Sequence, residues 1–179
     1  MENGDYAGAS QQLTKARDIF KSLQSAMPHR LSFREGLATE AYQRGNMYVL
    51  MSAGAANNEE RREYDDKAMS AFKNSIELAR ELETLDSHNT DYPFQQCRAM
   101  IFMADIMLRR DMSNQAISYC NTAMKKIDAL IKTAPGNAEY AMIKAGAYRG
   151  IAIAHSKNPQ YTARATEEFT QYRLIMQEQ

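Results

Sequence analysis

The chain has 179 residues, 44% apolar, 25% charged and 9% aromatic, with 8 glycines, 4 prolines and no tryptophan, which excludes disordered, collagenous and low-complexity classes. At this length a single domain buries roughly 70% of its unfolded surface, so neither a disulfide framework nor a structural metal is needed to hold it. The 22 basic side chains balance 22 acidic ones, leaving no overall field to attract nucleic acid or an anionic membrane. Residues 1–90 carry 11 basic and 14 acidic side chains and residues 91–179 carry 11 and 8, an asymmetry too weak to name a partner.

No stretch alternates over more than a few positions, and β-branched residues are sparse, so no strand is predicted. Helical spacing of apolar residues runs through 6–27, 31–52, 59–86, 92–110, 113–133, 138–156 and 160–177, which predicts an all-α fold of seven helices. In the fifth segment Ala116, Ile117, Cys120, Ala123, Met124, Ile127, Leu130 and Ile131 draw one continuous stripe. Ser113 is expected to cap that helix and Ala134-Pro135-Gly136-Asn137 to stop it. The connections are short, which makes consecutive helices antiparallel.

The pairs repeat. Ala68-x3-Phe72-x2-Ser75 recurs 48 residues later as Ala116-x3-Cys120-x2-Ala123 and 49 further on as Ala165-x3-Phe169-x2-Tyr172, with an earlier copy at Ala9-x3-Leu13-x2-Ala16. Nineteen residues beyond the first Ala of the first three copies lie Pro28, Ser87 and Pro135, and five further on stand Phe33, Tyr92 and Tyr140. Twelve residues beyond these aromatics come Gly45, Ala104 and Ala152, small residues that let helix backbones approach closely. Between Gly45 and Ala68 there are 23 residues where later pairs have 12 or 13, so an insertion of 11 or so lies around Gly54 to Glu63. Glu59 and Glu60 there suit a helix N-terminus, and the segment reads as a solvated face or, alternatively, a contact arm.

This pattern resembles the tetratricopeptide repeat, whose helix pair carries a small residue in the first helix and Ala-x3-aromatic-x2-Ala in the second, ending in a Pro-containing turn. Gly4-Asp5-Tyr6-Ala7-Gly8-Ala9 looks like the entry to such a second helix. Asp86-Ser87-His88-Asn89 and Ala134-Pro135-Gly136-Asn137 look like its terminal turn. The family period is about 34 residues, so these are long-helix variants. One heptad added to each helix supplies the difference, and a heptad rotates the packing face by only about 20°. The resemblance implies one antiparallel helix-pair repeat domain over 1–179, an α-α superhelix (solenoid) whose first helices line a concave groove. In that groove Tyr42, Asn46, Arg98, Asp105 and Arg149 are the expected protein-binding residues. The family's carboxylate clamp is not expected, because only Asn46 matches it and the other positions fall on Tyr42, Phe102, Gly146 and Gly150. The chain opens on a second helix without its first, which implies a piece of a longer protein.

Catalytic chemistry is sparse. His29 and His88 occupy equivalent turns, where capping of carbonyls accounts for them, and His155 has no Glu or His at metal-ligand spacing. HExxH, ExxH, GxSxG, phosphate-loop and CxxC motifs are all absent. Cys97 and Cys120 fall in apolar helical patterns and read as reduced core thiols of a cytoplasmic protein. The N-terminus has no basic stretch leading into an apolar core, and no apolar run approaches a membrane span. Met100, Met103 and Met107 share one helix face, as core filling or as an adaptable groove.

These readings lead to a non-enzymatic scaffold, without cofactor or metal, that binds a protein or peptide segment and neither nucleic acid nor membrane. The alternative is a regulatory or dimerisation module of a larger signalling protein, forming a homodimer. Arrays of this period with Asp-Pro-x-Asn-like turns resemble those appended to some bacterial serine/threonine kinases, although the kinase motifs themselves are absent.

Overall fold

The computed structural model describes residues 5–177. Gly4, expected in the turn that enters the first helix, lies outside the described residues. The helices are α1 (Tyr6–Ala26), α2 (Leu31–Gly54), α3 (Asn58–Leu85), α4 (Asp91–Arg109), α5 (Ser113–Thr133), α6 (Ala138–Ser156) and α7 (Thr162–Gln177), with one 3-10 turn at Pro159–Tyr161. No strand occurs among the described residues. The chain divides into two compact units, Met1–Asn89 and Thr90–Gln179. In the first, α2 packs on both α1 and α3; in the second, α5 packs on α4 and α6, and α6 also packs on α4 and α7. This pairing of consecutive helices is compatible with a helical repeat.

Short polar side chains start three of these helices by accepting backbone N–H groups that have no partner within the first turn. Asp5 Oδ1 accepts from Gly8 N–H at 2.7 Å, and Asn137 Oδ1 accepts from Glu139 N–H at 2.9 Å. At α3, Asn57 accepts from Glu60 N–H at 2.9 Å while Glu60 Oε2 reaches back to Ala56 N–H at 2.8 Å. The expected Ser113 cap does not form: Ser113 is the first residue of α5, and no side chain caps that helix. The preceding turn explains why. Asp111 takes a left-handed conformation (φ 59°) and Met112 N–H bonds back to Met107 C=O at 2.9 Å, a Schellman closure of α4. That closure leads directly into α5 and leaves no extended residue for a serine cap.

The insertion is a lengthening of two helices. α2 has 24 residues and α3 has 28, against 19 and 21 for α4 and α5. Ser52 Oγ donates to Asp65 Oδ1 at 2.7 Å, with both residues buried. Tyr48 and Tyr64 stack with centroids 6.5 Å apart and Lys67 lies over both rings. The outer edge, Glu59, Arg61, Arg62 and Glu63, is exposed.

The repeated register builds the core. Ala68, Phe72 and Ser75 of α3 and Ala116, Cys120 and Ala123 of α5 are fully buried. Ser75 Oγ donates to Ala38 C=O at 2.9 Å, which holds α3 to α2. Ala165 is buried in α7, but Phe169 is 37% exposed, and α1 buries no residue completely. Met100, Met103 and Met107 are buried core side chains.

Gly45 passes beneath the Phe72 ring: a Cβ at that position would stand 2.5 Å from Phe72 Cε1. Replacing a mid-helix Gly by Ala ordinarily gains about 0.8–1.0 kcal/mol, whereas overfilling a packed core costs about 1–3 kcal/mol. Gly45→Ala is therefore expected to lower stability by about 1 kcal/mol net, and Ala104→Leu, at 1% exposure, by more. Chemical denaturation checks both; a Gly45→Ala protein as stable as the parent would mean that the ring has room to move.

Candidate functional site

The five residues expected in the groove have different surroundings. Tyr42 is buried, its ring 5.8 Å from Phe72, and serves the α2–α3 packing. Asn46, one turn on, is half-buried and its Oδ1 has no hydrogen-bond partner. Arg98 lies over the Phe94 ring at 5.7 Å. Asp105 and Arg149 are brought together: Arg149 Nη2 donates to Oδ1 at 2.8 Å and Oδ2 at 2.7 Å, joining α4 to α6. Arg149 thus already holds a carboxylate of its own chain.

Asp105 pays for its position. Its burial outweighs the pull of Arg149 and Arg109 and holds the carboxyl above its ordinary range. A carboxyl raised in this way favours the fold in its protonated form. The contribution is complete below the unfolded value of 3.8 and declines as pH rises through the folded value. The Cys120 thiol beneath is pushed up to about 12, mainly by burial and then by the Asp105 charge.

Sequence reasoning missed a cleft in the first unit. α1, α2 and α3 enclose about 460 Å³ lined by Arg17, Glu40, Arg44, Tyr48, Lys67 and Asn74, among others. Glu40 is 5% exposed and Arg44 13%; Arg44 Nε donates to Glu40 Oε1 at 2.7 Å, and its Nη2 also reaches that oxygen and, at 3.4 Å, Thr14 Oγ1. Arg17 Nε is buried without a hydrogen bond, its nearest carboxylate oxygen being Asp18 Oδ1 at 3.5 Å. Lys67 Nζ bonds Glu63 Oε1 on the exposed rim. Arg44 and Tyr48 stand about 200° round the helix from Tyr42 and Asn46, so this is not the expected groove face.

A signal for it was available in the repeat register. In the frame set by Gly45, Ala104 and Ala152, the positions of Glu40 and Arg44 correspond to Ala99 and Met103 in α4 and to Ala147 and Ile151 in α6, all buried. Charge replaces hydrocarbon in one copy of three.

Of the histidines, His29 and His88 are exposed. The second turn is closed by Asp86, whose Oδ1 accepts His88 N–H at 3.3 Å; the carbonyl capping expected of the imidazole is not what shapes it. His155 meets Glu168 of α7, Nδ1 to Oε2 at 2.9 Å, a partner thirteen residues away that no helical spacing announces. No group of three or more metal-ligating side chains occurs among the described residues, and no helix there is long and apolar enough to cross a membrane. No family model matches the chain, and comparison with curated proteins and with solved structures gives no match either.

Two outcomes are expected. Asp105→Asn should leave the melting temperature at neutral pH at or above that of the parent and flatten the loss of stability as pH rises above 3.8; a lower neutral-pH melt would make the Arg149 pair net stabilising. Cys97 and Cys120, both fully buried, should resist a thiol reagent at pH 8 until denaturant is added. Rapid labelling of the native protein at Cys120 would contradict the burial that raises its pKa.

Proposed function

We propose that the chain is a non-catalytic protein-interaction module of tetratricopeptide-like build, working in the cytoplasm and binding a peptide or protein segment without a cofactor, nucleic acid or membrane. The observation that carries this reading is the burial of the repeated register. The Ala-x3-Phe/Cys-x2-Ser/Ala positions of α3 and α5 are fully buried, and the small residue Gly45 lies against the large Phe72. In these two helices the repeated positions serve packing and the outward side chains are left free to differ, as a recognition scaffold requires.

One observation favours self-association as a second reading, in which the chain is a regulatory or dimerisation module of a larger signalling protein. α7 exposes Phe169, Leu174 and Met176, and α1 exposes Ile19 at 58%. Light scattering across a concentration series separates the two readings, combined with capture of partners and titration of the captured segment as a synthetic peptide. A constant monomer mass with one-to-one peptide binding is the expected result. A mass that doubles with concentration, with no segment bound, would favour the second reading.

A further inference from the structure

We propose that the cleft between α1, α2 and α3 is the recognition site, and that it takes an acidic peptide segment whose carboxylates meet Arg17, Arg44 and Lys67. The inference rests on the reading of the chain as an interaction module and adds the place and the ligand chemistry.

The first ground is the buried Glu40–Arg44 pair. Removing two charges from water is costly, and apolar residues of similar volume usually serve a core as well or better. The same fold demonstrates this at the equivalent positions, where Ala99 with Met103 and Ala147 with Ile151 fill buried sites without charge. The packing of a helix at this register therefore does not call for an ion pair. What the pair does provide is an arginine fixed in place: Glu40 holds Arg44 through Nε and Nη2 at the floor of an open cleft. A guanidinium held in this way is pre-organised for a carboxylate.

The second ground is the charge around it. Among the residues lining the cleft, Arg17, Arg44 and Lys67 stand against the single carboxylate of Glu40, which Arg44 engages, while Glu63 on the exposed rim bonds Lys67 and Asp18 lies 3.5 Å from Arg17. Arg17 contributes a buried Nε–H that no acceptor satisfies, an unmet donor of the kind that a bound carboxylate oxygen would complete. Along the other wall Ser70 and Asn74 recur one turn apart on α3, and Asn presents both a donor and an acceptor to a peptide backbone. Tyr48, stacked on Tyr64, supplies an aromatic surface beside the cations. Glu40 is accordingly a positioning residue, acting through Arg44.

The test uses the whole chain and a fluorescein-labelled octapeptide of glutamate, capped at both ends, in anisotropy titrations at 50 and 150 mM salt, with the octalysine peptide and inorganic phosphate alongside. The parent should bind octaglutamate, more weakly at the higher salt, and should not bind octalysine. Arg17→Glu with Lys67→Glu should weaken binding more than tenfold, and Lys125→Glu with Lys132→Glu, an equal charge change on the exposed face of α5, less than twofold. Glu40→Ala with Arg44→Met writes the α4 residues into α2; it should weaken binding more than tenfold while the melting temperature holds or rises. A clear fall in that melt would assign the pair to folding and overturn the proposal. So would equal loss from both charge reversals, absence of octaglutamate binding at 50 mM salt, or saturable phosphate binding that displaces the peptide at millimolar concentration. A captured protein segment that still binds the Arg17→Glu, Lys67→Glu chain at parental strength would overturn the cleft but leave the interaction module standing. A chain that captures no segment at all would remove both.

Discussion

The first unit is organised around the passage of α2 beneath the Phe72 ring. A glycine is favoured there because a Cβ would stand 2.5 Å from the ring, and the ring in turn is fully buried, so any shift is felt by its neighbours. With that crossing set, Tyr42 tilts against the same ring from one side. Ser75, one helical turn beyond Phe72, reaches the Ala38 carbonyl. The face of α2 that remains is turned to the cleft. In the second unit the ring is exchanged for Cys120 and the glycine for Ala104 at the same register, and a second glycine, Gly150 of α6, comes so near that its Cβ would lie 2.7 Å from the sulfur. Small against large in one unit becomes small against small in the other, and close helix approach is retained in both.

The helices were legible because packing imposes a period. Seven apolar stripes predicted the elements, and their ends fall within two residues of the observed helices, since Asp5, Asn57 and Asn137 act as caps where their chemistry places them. Ser113 failed for a reason that period does not carry: the Schellman closure of α4 depends on Asp111 taking a positive φ, and nothing marks an aspartate for that conformation as a glycine would be marked. The Gly54 to Glu63 insertion was located correctly, between segments read as helical over 31–52 and 59–86. What periodicity did not reveal there is Ser52 meeting Asp65 across the turn, a contact between helices with no sequence spacing of its own.

Site residues were less legible than core residues. The groove register takes its frame from small residues, and a residue placed by such a frame can equally face the neighbouring helix. Tyr42 does so, while Asp105 and Arg149 satisfy each other. Reading each copy for what it shares with the others finds packing. A candidate for recognition is sought by the opposite operation, reading each copy for where it departs, and Glu40 with Arg44 against Ala99 with Met103 is such a departure.

Polar groups enter the core of the first unit in two different ways. Ser52 with Asp65 joins α2 to α3, so its hydrogen bond resists separation of the two helices and needs no other justification. Glu40 with Arg44 lies within a single helix, four residues apart, and its one hydrogen bond to another helix is the long 3.4 Å contact from Arg44 Nη2 to Thr14 Oγ1 of α1. Its charge must be desolvated all the same. A cost met with so small a return in helix packing is explicable when the atoms so held face something outside the fold, and the unsatisfied Nε of Arg17 borders the same space. The two features, one over-ordered and one unfinished, converge on one cleft, and the proposed chemistry of its ligand rests on that convergence.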